Sequence, residues 1–211
     1  MWKYLFALAA VAAAGSALAQ QAPAAFNGPF VGIQGGWQQD RQTLLLNNGG
    51  IISEVGQNKS GFGYGGQIGY DFRLSPAIVL GAEVDLTGRT GTSRVGGAGG
   101  YDLKQGRTIA ATARLGYLVT PESLLYVRGG YANGRFTLSN ATISDSTNRD
   151  GYQVGVGYEQ LLRQNLSARV EYTHSGFGTE NIFGLAQSIG ATDANLKYSR
   201  NAVRAGLNLR F

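Results

Sequence analysis

The strict alternation of apolar and polar residues in the last eleven residues, NAVRAGLNLRF, most constrains what this chain can fold into. Successive side chains of an extended strand point to opposite faces, so residues two apart share a face. One face of this segment is apolar throughout and is formed by Val203, Ala205, Leu207, Leu209 and Phe211. A strand of a soluble sandwich shows the same pattern, so the segment predicts a strand without deciding the class of sheet.

Seven further segments repeat this alternation. They begin at Phe30, Gly61, Ala77, Thr108, Leu124, Gly151 and Leu166. In GFGYGGQIGYDFRL, for example, one face is mainly aromatic, whereas the other consists of glycine, glutamine and charged residues. With the C-terminal segment, the sequence predicts eight strands, an even number that suits an antiparallel up-and-down order.

The connections between these segments alternate in length. Three are short turns: LSPA after Arg73, TPES after Val119 and LLRQN after Gln160. The others are long and polar, and they cover residues 39–60, 88–106, 138–150 and 175–199. Short turns on one rim and long loops on the other are typical of a barrel in the bacterial outer membrane.

Aromatic residues lie near the ends of the predicted strands, and aliphatic residues lie near their centres. This distribution is expected of two interfacial girdles that flank a lipid-facing band. The predicted girdle residues are Phe30, Trp37, Phe62, Phe72, Tyr117, Tyr131, Tyr152, Tyr158, Tyr172 and Phe211. The sequence therefore predicts an all-β fold, an eight-stranded antiparallel transmembrane up-and-down β-barrel. Because lipid cannot satisfy an unpaired strand edge, the last strand is expected to pair with the first.

The first nineteen residues, MWKYLFALAAVAAAGSALA, have the features of a secretory signal peptide. A positive charge at Lys3 precedes an apolar run, and small residues stand at Ala17 and Ala19. A transmembrane anchor needs about 20 apolar residues, which is more than this run supplies. We therefore expect cleavage after Ala19, with a signal peptide at residues 1–19 and an exported outer-membrane barrel domain at residues 20–211.

Composition excludes several classes of protein. The chain has no cysteine, so neither a disulfide framework nor a thiolate metal site is open to it. Its 33 glycines show no triplet period, which excludes collagen, and a hydrophobic content of 43% argues against disorder. The net charge of +5 is spread along the chain, so nucleic acid is not an expected partner.

Three segments, GYQVGVGYEQ, LSARVEYTHSGFG and AVRAGLNLRF, resemble the last three strands of small OmpA-like, opacity-type outer-membrane barrels, in particular the alphaproteobacterial porin family. The likeness in pattern and spacing covers the mature chain. It implies residence in the outer membrane, contact with its lipid and lipopolysaccharide, and assembly by the barrel-insertion machinery. In that family the terminal aromatic residue is the insertion signal, a role that the resemblance gives to Phe211 with support from Leu209 and Leu207.

The inward faces of the predicted strands carry glycines and charged residues. The interior of an eight-stranded barrel is only wide enough to be filled by side chains, so a wide aqueous channel is not expected. Because an unpaired buried charge is costly, we expect a charged plug that stiffens the barrel. Its acids are predicted to be Glu83, Asp85, Glu159 and Glu171, and its bases Arg114, Arg128, Arg169 and Arg204.

Counting residues from the short turns places these charges relative to one another. Arg114 is expected opposite Arg128, and Glu159 is expected diagonally near Arg169. The alternative to a charged plug is a hydrated lumen with loose ion pairs.

The sole histidine raises the question of catalysis, because some eight-stranded barrels are lipid-modifying hydrolases that use a histidine, a serine and a carboxylate. His174 and Ser175 are adjacent, so a strand points them to opposite faces, and Glu180 is expected in a loop. We therefore assign no catalytic, metal-binding or cofactor-binding residue, and the protein is not expected to be an enzyme.

The first long loop contains LLLNNGGIIS, which predicts a hairpin that extends the first two strands beyond the membrane. The apolar residues at its tip are Leu44, Leu45, Leu46, Ile51 and Ile52. This tip is either an adhesive surface for a host or envelope ligand, or it packs against the neighbouring loops.

Three functions are compatible with this architecture. The leading hypothesis is a structural outer-membrane barrel that supports envelope integrity and offers long extracellular loops for surface interaction. The second is a small-solute, porin-like channel, and the third is a lipid-modifying outer-membrane enzyme.

Overall fold

The computed structural model describes residues 25–48, 51–90, 93–95, 101–139, 144–181 and 193–211, and toward the loop tips it describes only the backbone. The strands of these ranges are β1 Gly28–Asn48, β2 Ile51–Arg73, β3 Ile78–Arg89, β4 Ser93–Val95, β5 Tyr101–Thr120, β6 Ser123–Ser139, β7 Ser144–Arg163, β8 Leu166–Asn181 and β9 Asp193–Arg210. Within the described ranges, no helix is long and apolar enough to cross a membrane.

The strands close into a barrel in which every neighbouring pair is antiparallel. β1 pairs with β2 on one side and with β9 on the other, so that Val31 lies opposite both Ile68 and Leu209. The three residues of β4 pair with β5 and lie on the same side of it as β3. Eight strands therefore form the wall, and the predictions of an eight-stranded antiparallel barrel and of pairing between its last and first strands are confirmed.

The strands continue well beyond the segments in which apolar and polar residues alternate. β1 and β2 stay paired until Asn48 faces Ile51, across most of the segment predicted to be a loop at 39–60. Glu180 likewise belongs to β8 and not to a loop. Backbone N–H and C=O groups need partners whatever side chains they carry. The strands can therefore extend past the point where the hydrophobic pattern ends.

Two rims are distinguished by their connections. The short-turn rim carries the connections at 74–77, 121–122 and 164–165, and the long-loop rim lies at the other end of the barrel. The third turn is shorter than predicted, because β7 continues to Arg163 and leaves only Gln164 and Asn165 between the strands.

The barrel is apolar outside and polar inside. On β9, Val203 and Leu207 are 53% and 44% exposed, whereas Arg204 and Asn208 in the lumen are 3% and 0% exposed. This arrangement is stable only where lipid surrounds the outer face, because water would leave a continuous apolar band unburied.

Aromatic rings form two outward girdles at the edges of the apolar band. The upper girdle, toward the long-loop rim, consists of Trp37, Phe62, Tyr64, Tyr131, Tyr152 and Tyr172, and the lower girdle includes Phe72, Tyr117, Tyr158 and Phe211. One predicted girdle residue is wrong: Phe30 is only 2% exposed and lies in the lumen. Phe30 and Val31 are both apolar, so the alternation is ambiguous where β1 begins. The register of β1 turns Val31 outward, and the Phe30 ring packs 4.5 Å from the Arg114 guanidinium.

Candidate functional site

The lumen is filled in layers, and the layer at the short-turn rim is apolar. Phe26, Val79, Leu118, Leu124 and Tyr126 pack together there, and none of them is more than 7% exposed. We refer to these five residues as the apolar plug. Their rings and aliphatic groups fill the lumen at this level, and the one polar group among them, the Tyr126 hydroxyl, donates to Glu171 at 2.9 Å.

Phe26 reaches the plug through a tight turn that precedes β1. Its φ is 58°, in a left-handed region that bulky residues seldom adopt. Gly28 follows with a φ of 120°, and a Cβ there would collide with a main-chain oxygen of Phe211. The ring of Phe26 lies 4.6 Å from the Arg210 guanidinium. Sequence reasoning missed Phe26 because it lies outside every alternating segment.

Two acids and two arginines form a lower charge cluster directly above the plug: Asp71, Glu159, Arg114 and Arg210. Arg114 Nε donates to Asp71 Oδ1 at 2.7 Å, and its Nη1 donates to Glu159 Oε2 at 3.1 Å. Arg210 Nη2 contacts the same two carboxylates at 2.8 and 2.9 Å. Each charge in this cluster therefore has two partners of opposite sign.

An upper charge cluster follows toward the long-loop rim and consists of Glu83, Asp85, Glu171, Arg128 and Arg169. Glu83 Oε1 lies 2.8 Å from Arg128 Nη1 and 2.8 Å from Arg169 Nη1. Arg128 also contacts Asp85 and, at 3.2 Å, Glu171. All five side chains are buried. The two clusters meet where Glu83 Oε2 approaches Arg114 Nη1 to 3.7 Å.

Seven of the eight predicted lumen charges are brought together in these clusters, and Arg204 is not. Arg204 is 3% exposed, and its hydrogen bond to Thr173 is 3.5 Å long. Among the described side chains, no carboxylate lies within ion-pair distance of its guanidinium. Its cross-strand neighbour Glu171 is engaged by Arg128 and by the Tyr126 hydroxyl instead.

The register agrees with one of the two predicted placements. Arg114 stands opposite Arg128, as expected. Glu159 stands directly opposite Arg169 instead of diagonally, because the turn between β7 and β8 has two residues. Despite this position, the two side chains take part in different clusters, since arginine side chains reach across the lumen.

A third polar group lies nearer the long-loop rim. Asp40 accepts from Arg89 Nη1 at 2.9 Å and from Arg200 Nε at 2.7 Å, beside the buried rings of Phe177 and Tyr198. Sequence reasoning missed this group because the loops were predicted to begin too early. Had each predicted strand been extended by two residues, the same alternation would have placed Asp40, Arg89 and Arg200 on inward faces.

Asp71 and Arg210 were also missing from the predicted network, although the same alternation places both on inward faces. The sequence pattern shows which way a side chain points. It does not show with which carboxylate, on which strand, a long arginine side chain forms its ion pair.

The histidine and serine lie on opposite faces of β8. His174 faces outward, where its Nδ1 lies 2.8 Å from Asn201 Oδ1. Ser175 is buried in the lumen and accepts a hydrogen bond from Gln153 Nε2 at 3.1 Å. Among the side chains that the structure describes, no group of three or more histidines or acids is arranged to hold a metal ion.

The remaining predicted residues lie at the two ends of the barrel. Phe211, Leu209 and Leu207 face outward, and the backbone N–H of Phe211 donates to Pro29 at 3.0 Å, which helps to close the seam. At the other end, the backbone of the first hairpin is paired to its tip. The side chains of Leu44, Leu45, Leu46, Ile51 and Ile52 lie outside the described residues.

Comparison with known proteins agrees with this architecture. A family model described as an outer membrane protein beta-barrel domain matches residues 6–211. The 31 kDa outer-membrane immunogenic protein of Brucella melitensis biotype 1 is 28% identical over 206 residues, which cover 88% of this chain and 84% of that protein. The 22 kDa outer membrane protein of Rhizobium leguminosarum bv. viciae is 29% identical over 162 residues, 76% of this chain and 72% of that protein.

Among solved structures, Neisserial surface protein A aligns with 88% of this chain and 100% of its own, with 14% identity and a TM-score of 0.47. The family match spans the whole described barrel, and the named relatives are outer-membrane proteins of alphaproteobacteria. The chain therefore belongs to the outer membrane protein β-barrel domain family and resides in the outer membrane.

Proposed function

We propose that this barrel is a sealed structural element of the cell envelope. In this function the long loops carry its surface interactions, the lumen does not conduct solutes, and the protein catalyses no reaction. The observation that carries the proposal is the filling of the lumen by the apolar plug and the two charge clusters above it.

The energetics of the lumen support a closed state. A solute path would have to separate arginines from carboxylates that are almost completely buried; Asp71 and Glu159, for example, are each 0% exposed. Breaking one partner out of a buried ion pair costs about 3 to 5 kcal/mol, and several pairs block the same path. The same clusters tie strands on opposite sides of the barrel together, which favours a stiff wall.

The placement of His174 supports a role without catalysis. A hydrolase needs its base within hydrogen-bond reach of its nucleophile, and here the barrel wall separates the imidazole from the Ser175 hydroxyl. His174 instead shares Asn201 with Tyr172, whose hydroxyl donates to the same oxygen at 2.9 Å. Its contacts are those of a residue at the membrane interface.

The long loops are the natural place for specific recognition, because a rigid scaffold presents them on the cell exterior. Deleting one loop at a time, while keeping the barrel strands intact, tests this part of the proposal. The deletions are to be scored for binding to host cells and to neighbouring envelope proteins. If binding persisted in every deletion variant, the proposal that the long loops carry the surface interactions would be contradicted.

Planar-bilayer recording of the purified mature protein tests the seal. The wild type is expected to show little or no stable conductance, whereas Phe26→Ala, which opens the apolar plug, should show brief openings. Phe72→Ala is the matched control, because Phe72 lies on the outer face near the same rim and is 53% exposed. A large, steady, voltage-independent conductance of the wild-type monomer would contradict the sealed barrel and favour the small-solute channel.

Mass spectrometry of lipid A from cells with and without the protein tests the enzymatic alternative. The proposal expects identical spectra. A modified lipid A that appears only when the protein is expressed would establish a lipid-modifying enzyme.

A further inference from the structure

The barrel wall is interrupted between β3 and β5 near the long-loop rim. In the part of the chain that the structure describes, pairing of these strands ends where Thr87 faces Thr108, and this side of β5 is next paired by β4, where Ser93 faces Leu103. At the same place the register of β5 against β6 shifts, so that Gly106 and Arg107 have no cross-strand partner. Such irregularities re-aim side chains and are frequent beside binding sites.

A groove with a cavity volume of about 460 Å³ opens at this interruption. Tyr64 and Leu86 line it together with Gly66, Gly88 and Arg107. Gly66 and Gly88 leave the floor of the groove without side chains. A Cβ on Gly66 would meet only the Gly32 carbonyl, at 3.3 Å, and a Cβ on Gly88 would meet the Tyr64 ring at 3.3 Å. The groove is therefore apolar and smooth below and carries an arginine above.

The groove spans the boundary between the lipid band and the membrane surface. Tyr64 belongs to the upper girdle, and Leu86, 51% exposed, faces the apolar band. Because the long loops of such barrels face the cell exterior, this boundary is the outer leaflet. Lipopolysaccharide, the outer-leaflet lipid that the family resemblance implies, is a phosphorylated glycolipid; its acyl chains would lie near Leu86 and its phosphates near Arg107.

The positive charge at the top of the groove, on Arg107, can bind a ligand. Arg107 is exposed and has no hydrogen-bond or ion-pair partner among the described side chains. Arg89, which lines the same groove, is occupied: its Nη1 donates to Asp40 at 2.9 Å and its Nη2 to the Ser60 carbonyl at 3.1 Å. Arg107 is therefore the side chain that can receive a ligand.

The outer surface at this height is positively charged. Among described side chains above the upper girdle, Arg41, Arg107 and Arg135 face outward, and Asp150 is the one acid. Hydrogen bonds from the Tyr131 hydroxyl and from Asn133 lower the pKa of Asp150. The Asp150 carboxylate is thus hydrogen-bonded to its own neighbours and forms no ion pair with Arg107, whose guanidinium can attract phosphate.

We propose that this groove binds a phosphorylated glycolipid of the outer leaflet. One acyl chain lies on Gly66 and Gly88 between Tyr64 and Leu86, and a phosphate accepts hydrogen bonds from Arg107. The planar guanidinium suits this role because it donates two parallel hydrogen bonds to phosphate oxygens. The site lies on the outer face, so it is independent of whether the lumen is sealed.

Native mass spectrometry of the mature protein in detergent tests the site with bisphosphorylated lipid A as the probe. Arg107→Gln should weaken retention of one lipid A by about tenfold or more, as expected for loss of hydrogen bonds to a charged group. Arg41→Gln is the matched control, because Arg41 is also exposed on the outer face above the upper girdle and does not line this groove. The control should retain lipid A like the wild type.

A second pair of variants tests the groove without changing any charge. Gly66→Val fills the floor and should reduce retention, whereas Gly129→Val adds the same side chain to the outer face of β6, where the nearest atom to a new Cβ is 3.8 Å away. Variants are compared only as folded, heat-modifiable protein. Dephosphorylated lipid A should bind the wild type as weakly as lipid A binds Arg107→Gln. Equal retention by wild type and Arg107→Gln, or equal losses in Arg41→Gln, would overturn the site.

Discussion

Arg114 and Arg128 stand directly opposite each other on β5 and β6, yet their guanidinium groups enter different charge clusters. Like charges at directly opposed positions destabilise a sheet unless other groups compensate them. Glu83 provides that compensation, because its carboxylate lies 2.8 Å from Arg128 and 3.7 Å from Arg114. A single carboxylate thus holds the two layers of the lumen together.

Removing this carboxylate should destabilise the barrel. Glu83→Ala leaves Arg128 and Arg169 short of a buried partner and is expected to lower the free energy of unfolding by about 3 kcal/mol. Urea unfolding followed by the fluorescence of Trp37, the sole tryptophan of the mature chain, measures the change.

A second substitution should recover part of the stability lost in Glu83→Ala. The ion-pair partners in the structure indicate which substitution this is. Among the described side chains, Arg169 keeps only Asp85, at 3.7 Å, as an ion-pair partner without Glu83, whereas Arg114 keeps two closer carboxylates. Glu83→Ala with Arg169→Met should therefore be more stable than Glu83→Ala with Arg114→Met. Equal recovery in the two double variants would contradict the assignment of partners.

Among the lumen arginines, Arg204 should be the one whose replacement lowers the free energy of unfolding least. Arg204→Met removes a buried charge that forms no ion pair with a described carboxylate, so stability should change by less than about 1 kcal/mol or increase. Arg114→Met, the matched control, leaves Asp71 and Glu159 short of a partner and should lose about 3 kcal/mol. The same urea titration compares them, and a loss from Arg204→Met as large as the control's would show that an essential partner exists.

The barrel could be predicted from the sequence because the side-chain direction in a strand follows directly from residue parity. Parity also placed Glu83, Asp85 and Arg114 on the inner face. The choice of partners could not be predicted in this way. Arg114 on β5 reaches Glu159 on β7, and that contact depends on barrel diameter, strand tilt and rotamers rather than on neighbouring positions.

Phe26 shows a second limit of sequence reasoning. It seals the lumen from a turn with a positive φ, and a single aromatic residue before the first strand has no periodicity to reveal it. The extended strands show a third limit, because the hydrophobic pattern ends with the membrane whereas backbone pairing does not.

The mature protein is predicted to begin at Gln20. The apolar run after Lys3 is too short for a membrane anchor, and Ala17 and Ala19 suit a signal peptidase. N-terminal sequencing of the protein from isolated outer membranes measures the cleavage site. Retention of Met1 on the exported protein would contradict the predicted boundary between residues 1–19 and 20–211.

The terminal aromatic residue is predicted to be needed for assembly. Phe211 is 53% exposed in the lower girdle, and its backbone N–H bonds to β1. Phe211→Asp would place a charge at the lipid interface and remove the insertion signal that the family resemblance implies. The folded, heat-modifiable fraction in outer membranes should fall, while Phe211→Tyr should keep it. Equal amounts of folded Phe211→Asp and wild-type protein would show that the ring is dispensable.

Gly81 is predicted to be a position in the lumen that tolerates no side chain. It lies on β3 between its cross-strand neighbours Asp71 on β2 and Arg114 on β5, so the ion pair of these two residues passes directly over it. A Cβ at Gly81 would stand 2.9 Å from Arg114 Cγ and would also collide with the Asp71 carboxylate.

Gly81→Ala should therefore push the ion pair apart and lower the free energy of unfolding by about 1 to 3 kcal/mol, the usual cost of overpacking. Gly129→Ala is the matched control on the outer face of β6, where the nearest atom to a new Cβ is 3.8 Å away. The control should be neutral or stabilise the barrel by up to about 1 kcal/mol, because alanine restricts the unfolded chain. Urea unfolding of both variants decides the matter. If Gly81→Ala were as stable as Gly129→Ala, the close crossing of Asp71 and Arg114 over β3 would be refuted, and the lower charge cluster would have to be arranged differently.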